Sequence, residues 1–111
     1  MSLHTALGRL PGDRTTETTV REVLELMRIH IDGPLTSGEV ARRLERPESA
    51  VSVILSSLTD AYVLRAEGER YRYDPDPLND LDVRRFLTRA ATHSQLVQNN
   101  VARFRERYGH H

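Results

Sequence analysis

The chain has 111 residues, 38% hydrophobic and 29% charged, an ordinary composition for one globular domain with a single core. All 16 basic residues are arginine and 16 acids balance them to a formal charge of zero, so any basic surface must come from how the charges sort in space. The chain has no cysteine, which excludes disulfides, thiol nucleophiles and thiolate metal sites. No apolar run nears the roughly 20 residues of a membrane span, and the N-terminal stretch lacks the apolar region of a signal peptide. These features predict a cytoplasmic protein, and the all-arginine usage suits a GC-rich bacterial genome.

Residues 1–16 carry Gly8, Pro11, Gly12 and several polar residues and read as a flexible N-terminal arm with room for a short turn of helix, Arg9 and Arg14 being able to enter a minor groove. Thr19-Val20-Arg21-Glu22 has the form of a capping box. Val20, Val23, Leu24, Met27 and Ile31 then recur at helical spacing, predicting a helix over about 20–31 that ends at Asp32-Gly33-Pro34. A second capping box, Thr36-Ser37-Gly38-Glu39, opens a short helix to about Leu44, with Val40, Ala41 and Leu44 inward. Pro47 suits the first turn of the next helix, over about Glu48 to Asp60. That helix has an inward stripe of Val51, Ile54, Leu55, Leu58 and Tyr62, with Ser49, Ser52, Val53 and Ser56 on the other side. Residues 63–66 and 70–73 read as two strands joined at Glu67-Gly68-Glu69, where glycine can take positive φ. In the second strand Tyr71 and Tyr73 face one side, as core residues, and Arg70 and Arg72 the other.

Asp74-Pro75-Asp76-Pro77 is a stiff spacer. Asn79 reads as the N-cap of a helix from about Asp80 to Tyr108, on the order of 40 Å long. Along it Val83, Leu87, Ala90, Ser94, Val97, Val101, Phe104 and Tyr108 alternate by four and three, an a/d repeat that predicts a coiled-coil seam between two copies of the chain. The alternative is a helix folded back on its own domain, broken near Thr92-His93-Ser94. Phe86 and Leu96 lie off the stripe and would pack on a neighbouring domain. Gly109-His110-His111 resembles a purification-tag remnant and is left out of metal reasoning.

The order helix, turn, helix, strand, tight turn, strand in "LTSGEVARRLERPESAVSVILSSLTDAYVLRAEGERYRY" resembles the winged helix-turn-helix domains of bacterial transcriptional regulators, most of all those of the IclR and MarR groups. "LTSGEVARRL" is similar to their positioning helix and "ESAVSVILSSL" to their recognition helix. "AYVLR" and "ERYRY" are similar to the segments that form the wing. With the first helix included, the resemblance covers about half of the chain. It implies a mostly α fold with a small two- to three-stranded antiparallel wing and a long C-terminal dimerisation helix. The expected organisation is an arm (1–16), a winged domain (17–77), a dimerisation helix (78–108) and a tag remnant (109–111).

The resemblance further implies a homodimeric transcriptional regulator that binds double-stranded DNA at a palindromic operator. The third helix would enter the major groove, where Ser49, Ser52 and Ser56 would meet base edges and Ala50 and Val53 thymine methyls. That helix lacks outward Arg, Lys, Asn or Gln for bidentate base contacts. Arg42, Arg43 and Arg46 are the candidates for phosphate contacts, the alternative being surface pairs such as Arg43 with Glu39 at i,i+4. Arg70 and Arg72 are preferred over Arg65 as backbone contacts from the wing. No ligand is named by the sequence; an effector would have to bind between the winged domain and the long helix.

An enzyme is not expected: the chain has no glycine-rich phosphate loop and no paired histidines or carboxylates at ligand spacing, and neither cofactor nor metal is predicted. Asp74, Asp76, Asp80 and Asp82 lack the pattern of a calcium loop. The competing reading is a winged-helix protein-interaction module. Residues 36–73 hold six arginines and six acids, so the two readings part on whether Arg42, Arg43, Arg46, Arg70 and Arg72 converge on one face or are interleaved with acids.

Overall fold

The computed structural model describes residues 3–89. In chain order these form α1 (Leu3–Gly8), α2 (Arg14–Ile29), β1 (Leu35–Thr36), α3 (Ser37–Leu44), α4 (Glu48–Asp60), β2 (Leu64–Glu67) and β3 (Arg70–Tyr73), followed by a helix, α5, at residues 77–89. The fold is mostly helical with a small antiparallel sheet of order β1-β3-β2. The sheet's third strand, two residues long, pairs Leu35 with Tyr71 and Thr36 with Arg70.

α3 and α4 match the expected limits, and the Thr36 capping box is formed. The Thr36 hydroxyl accepts from the Glu39 N–H at 3.1 Å while Glu39 Oε1 accepts from the Thr36 N–H at 3.3 Å, satisfying donors that the first turn otherwise leaves open. β2 lies one residue later than expected and β3 as expected. Glu67 pairs with Arg70, so Gly68 and Glu69 alone make the turn, and Gly68 has φ +64°, the conformation a II′-type hairpin requires at that position.

Four expectations are corrected. α2 begins six residues before the predicted start, because Asp13 is the cap: its carboxylate accepts from the Thr16 N–H at 2.6 Å. Thr19, taken as a cap, lies inside the helix, where its buried hydroxyl donates to the Thr15 carbonyl. At the other end α2 stops at Ile29, and Ile31, expected inward, is 47% exposed. The N-terminal segment, expected as a flexible arm with room for a short turn of helix, holds the six-residue α1. Leu3 and Ala6 are fully buried, Leu10 nearly so, and α1 packs on α4. The last helix is capped by Asp76 and not by Asn79. Asp76 Oδ1 accepts from the Asn79 N–H at 2.8 Å, and the Asp80 N–H donates to the Asp76 carbonyl. Pro77 takes the first helical position, where its missing N–H costs nothing. Asn79 is buried and donates from Nδ2 to the Ala61 carbonyl at 3.1 Å, tying α5 to the end of α4.

The core joins all of these elements: Val20, Val23, Leu24 and Met27 of α2, Val40 and Ala41 of α3, Val51, Ile54, Leu55 and Leu58 of α4, then Val63, Leu64 and Tyr73. Val83 and Leu87 belong to the same cluster, 0% and 8% exposed, with Phe86 packed against it. The first two positions of the expected seam are thus covered by the chain's own core, and the boundary drawn at residue 77 runs through one packed unit. Ala90, Ser94, Val97, Val101, Phe104 and Tyr108 lie outside the described residues, as do residues 109–111.

Burial of α1 has a direct test. Leu3→Ala removes a fully buried side chain and is expected to lower the unfolding free energy by about 2–3 kcal/mol, read from urea denaturation. A change near zero would return the segment to a disordered arm.

Candidate nucleic-acid interface

α3 and α4 are joined by a turn that relies on backbone geometry. Glu45 adopts the left-handed conformation, φ 55° and ψ 45°, and its N–H donates to the carbonyls of Ala41 and Arg42. The Arg46 N–H also donates to the Ala41 carbonyl, at 3.0 Å, so the end of α3 is closed in the manner of a left-handed C-cap without the usual glycine. Pro47 then precedes α4 as its cap residue, with no side-chain cap bond. The helix starts are tied by Ser37, whose hydroxyl donates to Glu48 Oε1 at 3.1 Å. At the far end of α4, Tyr62 has φ +62° and is 68% exposed; it was expected in the inward stripe, but the left-handed backbone turns its ring outward. Glycine or asparagine at Glu45 and Tyr62 would have flagged both turns in the sequence.

α4 presents a continuous outer face. Ser49, Ala50, Val53 and Ser56 are exposed and Ser52 is half-buried. They project opposite Val51, Ile54, Leu55 and Leu58, whose burial fixes the rotation of the helix. None of these five outer side chains has an ion pair or side-chain hydrogen bond among the described residues, and Val53 is 54% exposed.

The basic candidates divide into two groups. Arg42 and Arg43, in the last turn of α3, are exposed and have no carboxylate within ion-pair distance among the described residues. Arg43 Nη1 instead donates to His30 Nε2 at 3.3 Å. The other three are paired with acids, two of them from distant parts of the chain and one from across the hairpin. Arg46 binds Glu22 of α2 at 3.1 Å, which raises the guanidinium pKa chiefly through that hydrogen bond. Arg70 binds Glu39 at 3.1 Å and the Pro34 carbonyl at 3.1 Å, so Glu39 meets Arg70 and not Arg43 as its hydrogen-bonded partner. Arg72 binds Glu67 at 2.9 Å and the Ile31 carbonyl at 3.2 Å. Acids therefore interleave the arginines in space.

Tyr73 and Tyr71 sit as expected, Tyr73 buried and Tyr71 packed on the core. The Tyr73 hydroxyl donates to Asp80 Oδ1 at 2.7 Å, and the Arg28 guanidinium lies 5.9 Å from its ring centroid. Burial, then the Asp80 hydrogen bond and charge, hold the phenol's pKa far above its ordinary value. Beside it an open groove of about 520 Å³ is lined by Arg28, Ile29, Ile31, Tyr73, Asp80 and Arg84 among others. Sequence reasoning gave no sign of it, because its walls come from α2, β3 and α5. The acidic spacer is engaged structurally: Asp74 pairs with Arg65, Asp76 caps α5, and Asp80 meets both Tyr73 and Arg84. Among the described residues no three His, Cys, Asp or Glu side chains are grouped to hold a metal ion, and no helix is long and apolar enough to cross a membrane.

No family model, curated protein or solved structure matches the chain.

The cap at α3 makes a pH prediction. The hydrogen bond from the Thr36 N–H, with its hydroxyl and the nearby charges of Arg70 and Arg43, holds the Glu39 pKa below its ordinary value. A depressed folded-state pKa means that the carboxylate's stabilisation is complete above the ordinary carboxylate range and is lost as pH falls through the lowered pKa. Melting temperature followed from neutral to acid pH should therefore fall less steeply in Glu39→Gln than in the parent chain. Parallel curves would show that the carboxylate contributes nothing specific.

Proposed function

We propose that this chain is a DNA-binding transcriptional regulator of the winged helix-turn-helix kind, with α4 in the major groove and the β2–β3 hairpin against the backbone. The observation that carries this reading is the outer face of α4: Ser49, Ala50, Val53 and Ser56 are exposed on one rigid helix, beside a tight turn from α3 and a short hairpin. A helix in the major groove needs such a face, free of internal bonds and set by the packing behind it. Serine hydroxyls reach either donors or acceptors on base edges, and Ala50 and Val53 suit thymine methyls. Arg42 and Arg43 supply phosphate contacts at the end of the preceding helix, which bring affinity without sequence information. A second copy would meet the chain along the remaining positions of the a/d repeat, Ala90 to Tyr108, giving a homodimer and a palindromic site.

The interleaved acids favour a second reading. Glu22, Glu39 and Glu67 neutralise Arg46, Arg70 and Arg72, and a surface so balanced suits a protein partner better than a polyanion. The two readings separate in a selection of binding sites from random duplex DNA at two salt concentrations. A specific regulator enriches one sequence, and its affinity falls steeply with salt. Replacing Arg42 and Arg43 together by alanine should weaken binding to all sequences alike and lower the salt slope by about two. No enrichment, with only weak salt-sensitive association, would overturn the regulator and shift the reading to the interaction module.

A further inference from the structure

The hairpin holds two guanidinium groups on a single oxygen. Arg65 Nη2 and Arg72 Nε each donate to Glu67 Oε1 at 2.9 Å, and Arg72 Nη2 reaches Oε2 at 3.4 Å. Arg65 and Arg72 are directly opposed across the β2–β3 ladder. Like charges in that position repel, so the pair calls for an anion between them. In the free chain Glu67, the last residue of β2, is that anion, and both arginines hold its carboxyl below its ordinary pKa.

Each guanidinium also has an anchor that does not involve Glu67. Arg65 Nη1 donates to Asp74 Oδ2 at 3.2 Å, and Arg72 Nη1 donates to the Ile31 carbonyl at 3.2 Å. If the Glu67 carboxylate swings away, both side chains keep one bond that fixes their direction. The side chains are 60%, 30% and 34% exposed for Arg65, Arg72 and Glu67, so the site opens to solvent and the carboxylate has room to leave. A phosphate oxygen accepts from the same N–H donors, and arginine forks fit phosphate and carboxylate alike.

We propose that Arg65 and Arg72 form a phosphate-binding site for the DNA backbone that Glu67 occupies whenever DNA is absent. This adds Arg65 to the contact set and makes Glu67 the residue that sets affinity, since each binding event must exchange a carboxylate for a phosphate. The inference rests on the DNA-binding reading above.

The test measures fluorescence anisotropy of a labelled random-sequence duplex across a salt series, with the full-length chain, Glu67→Gln, Arg65→Ala and the double variant. Circular dichroism melts confirm that each is folded. Glu67→Gln should bind about fivefold or more tightly at low salt, with a salt slope steeper by about one to two. Arg65→Ala should weaken binding far more in the Glu67→Gln background than in the parent, because Glu67 already neutralises Arg65 there; a purely structural role for Glu67 gives no such coupling. If the parent binds through Arg42 and Arg43 but Glu67→Gln binds no better, the self-occupied site is wrong and the DNA-binding reading stands. If neither the parent nor Glu67→Gln binds at low salt, both fall.

Discussion

Burial of the apolar side of α4 is the constraint from which the other positions follow. Val51, Ile54, Leu55 and Leu58 are covered by α1, α2, α3 and β2, which all pack on this helix. Each such side chain contributes roughly 1.5–3 kcal/mol when fully buried. The rotation of α4 about its axis is thereby fixed, and so is the set of residues it turns to solvent. The short sheet and α5 complete the enclosure: Tyr73 and Leu64 close one end, and Val83 and Leu87 enter the same core. The hydrogen bond from Asn79 to the Ala61 carbonyl sets where α5 departs.

What could be read from the sequence was local. The capping box at Thr36 and Glu39, the limits of α3 and α4, the Gly68 turn and the inward tyrosines all depend on residues a few positions apart. The same logic misled at Thr19 and Glu22, an identical pattern, because Asp13 lies upstream and a helix already under way needs no second start. The N-terminal helix was read as no more than a short turn in a flexible arm, although Leu3, Ala6, Leu7 and Leu10 have helical spacing; the run is short, and glycine and proline nearby outweighed it. Of the four-three repeat only Val83 and Leu87 fall in the described part of α5, and both are buried. Periodicity states that a stripe will be covered, not by what, and for Val83 and Leu87 the cover is the chain's own core.

The candidate interface shows the same division. The outer face of α4 follows from the period of its buried residues, so Ser49, Ala50, Val53 and Ser56 were predictable. The ion pairs were not. Glu22 and Arg46 are 24 positions apart, and Glu39 and Arg70 are 31 apart, distances over which a sequence gives no register. A formal charge of zero thus resolves into a definite pattern. Carboxylates from α2, α3 and β2 hold three of the five candidate arginines, while Arg42 and Arg43 at the end of α3 stand without one among the described residues.

The two left-handed residues, Glu45 before α4 and Tyr62 after it, carry a wider consequence. Because backbone turns and the buried stripe hold α4 at both ends, with no side-chain cap at Pro47, the outward residues have no share in building the fold. The surface and the scaffold are written in separate letters of the same helix. Descendants of this chain could rewrite Ser49, Ala50, Val53 and Ser56 and acquire new partners at almost no risk to the architecture that presents them.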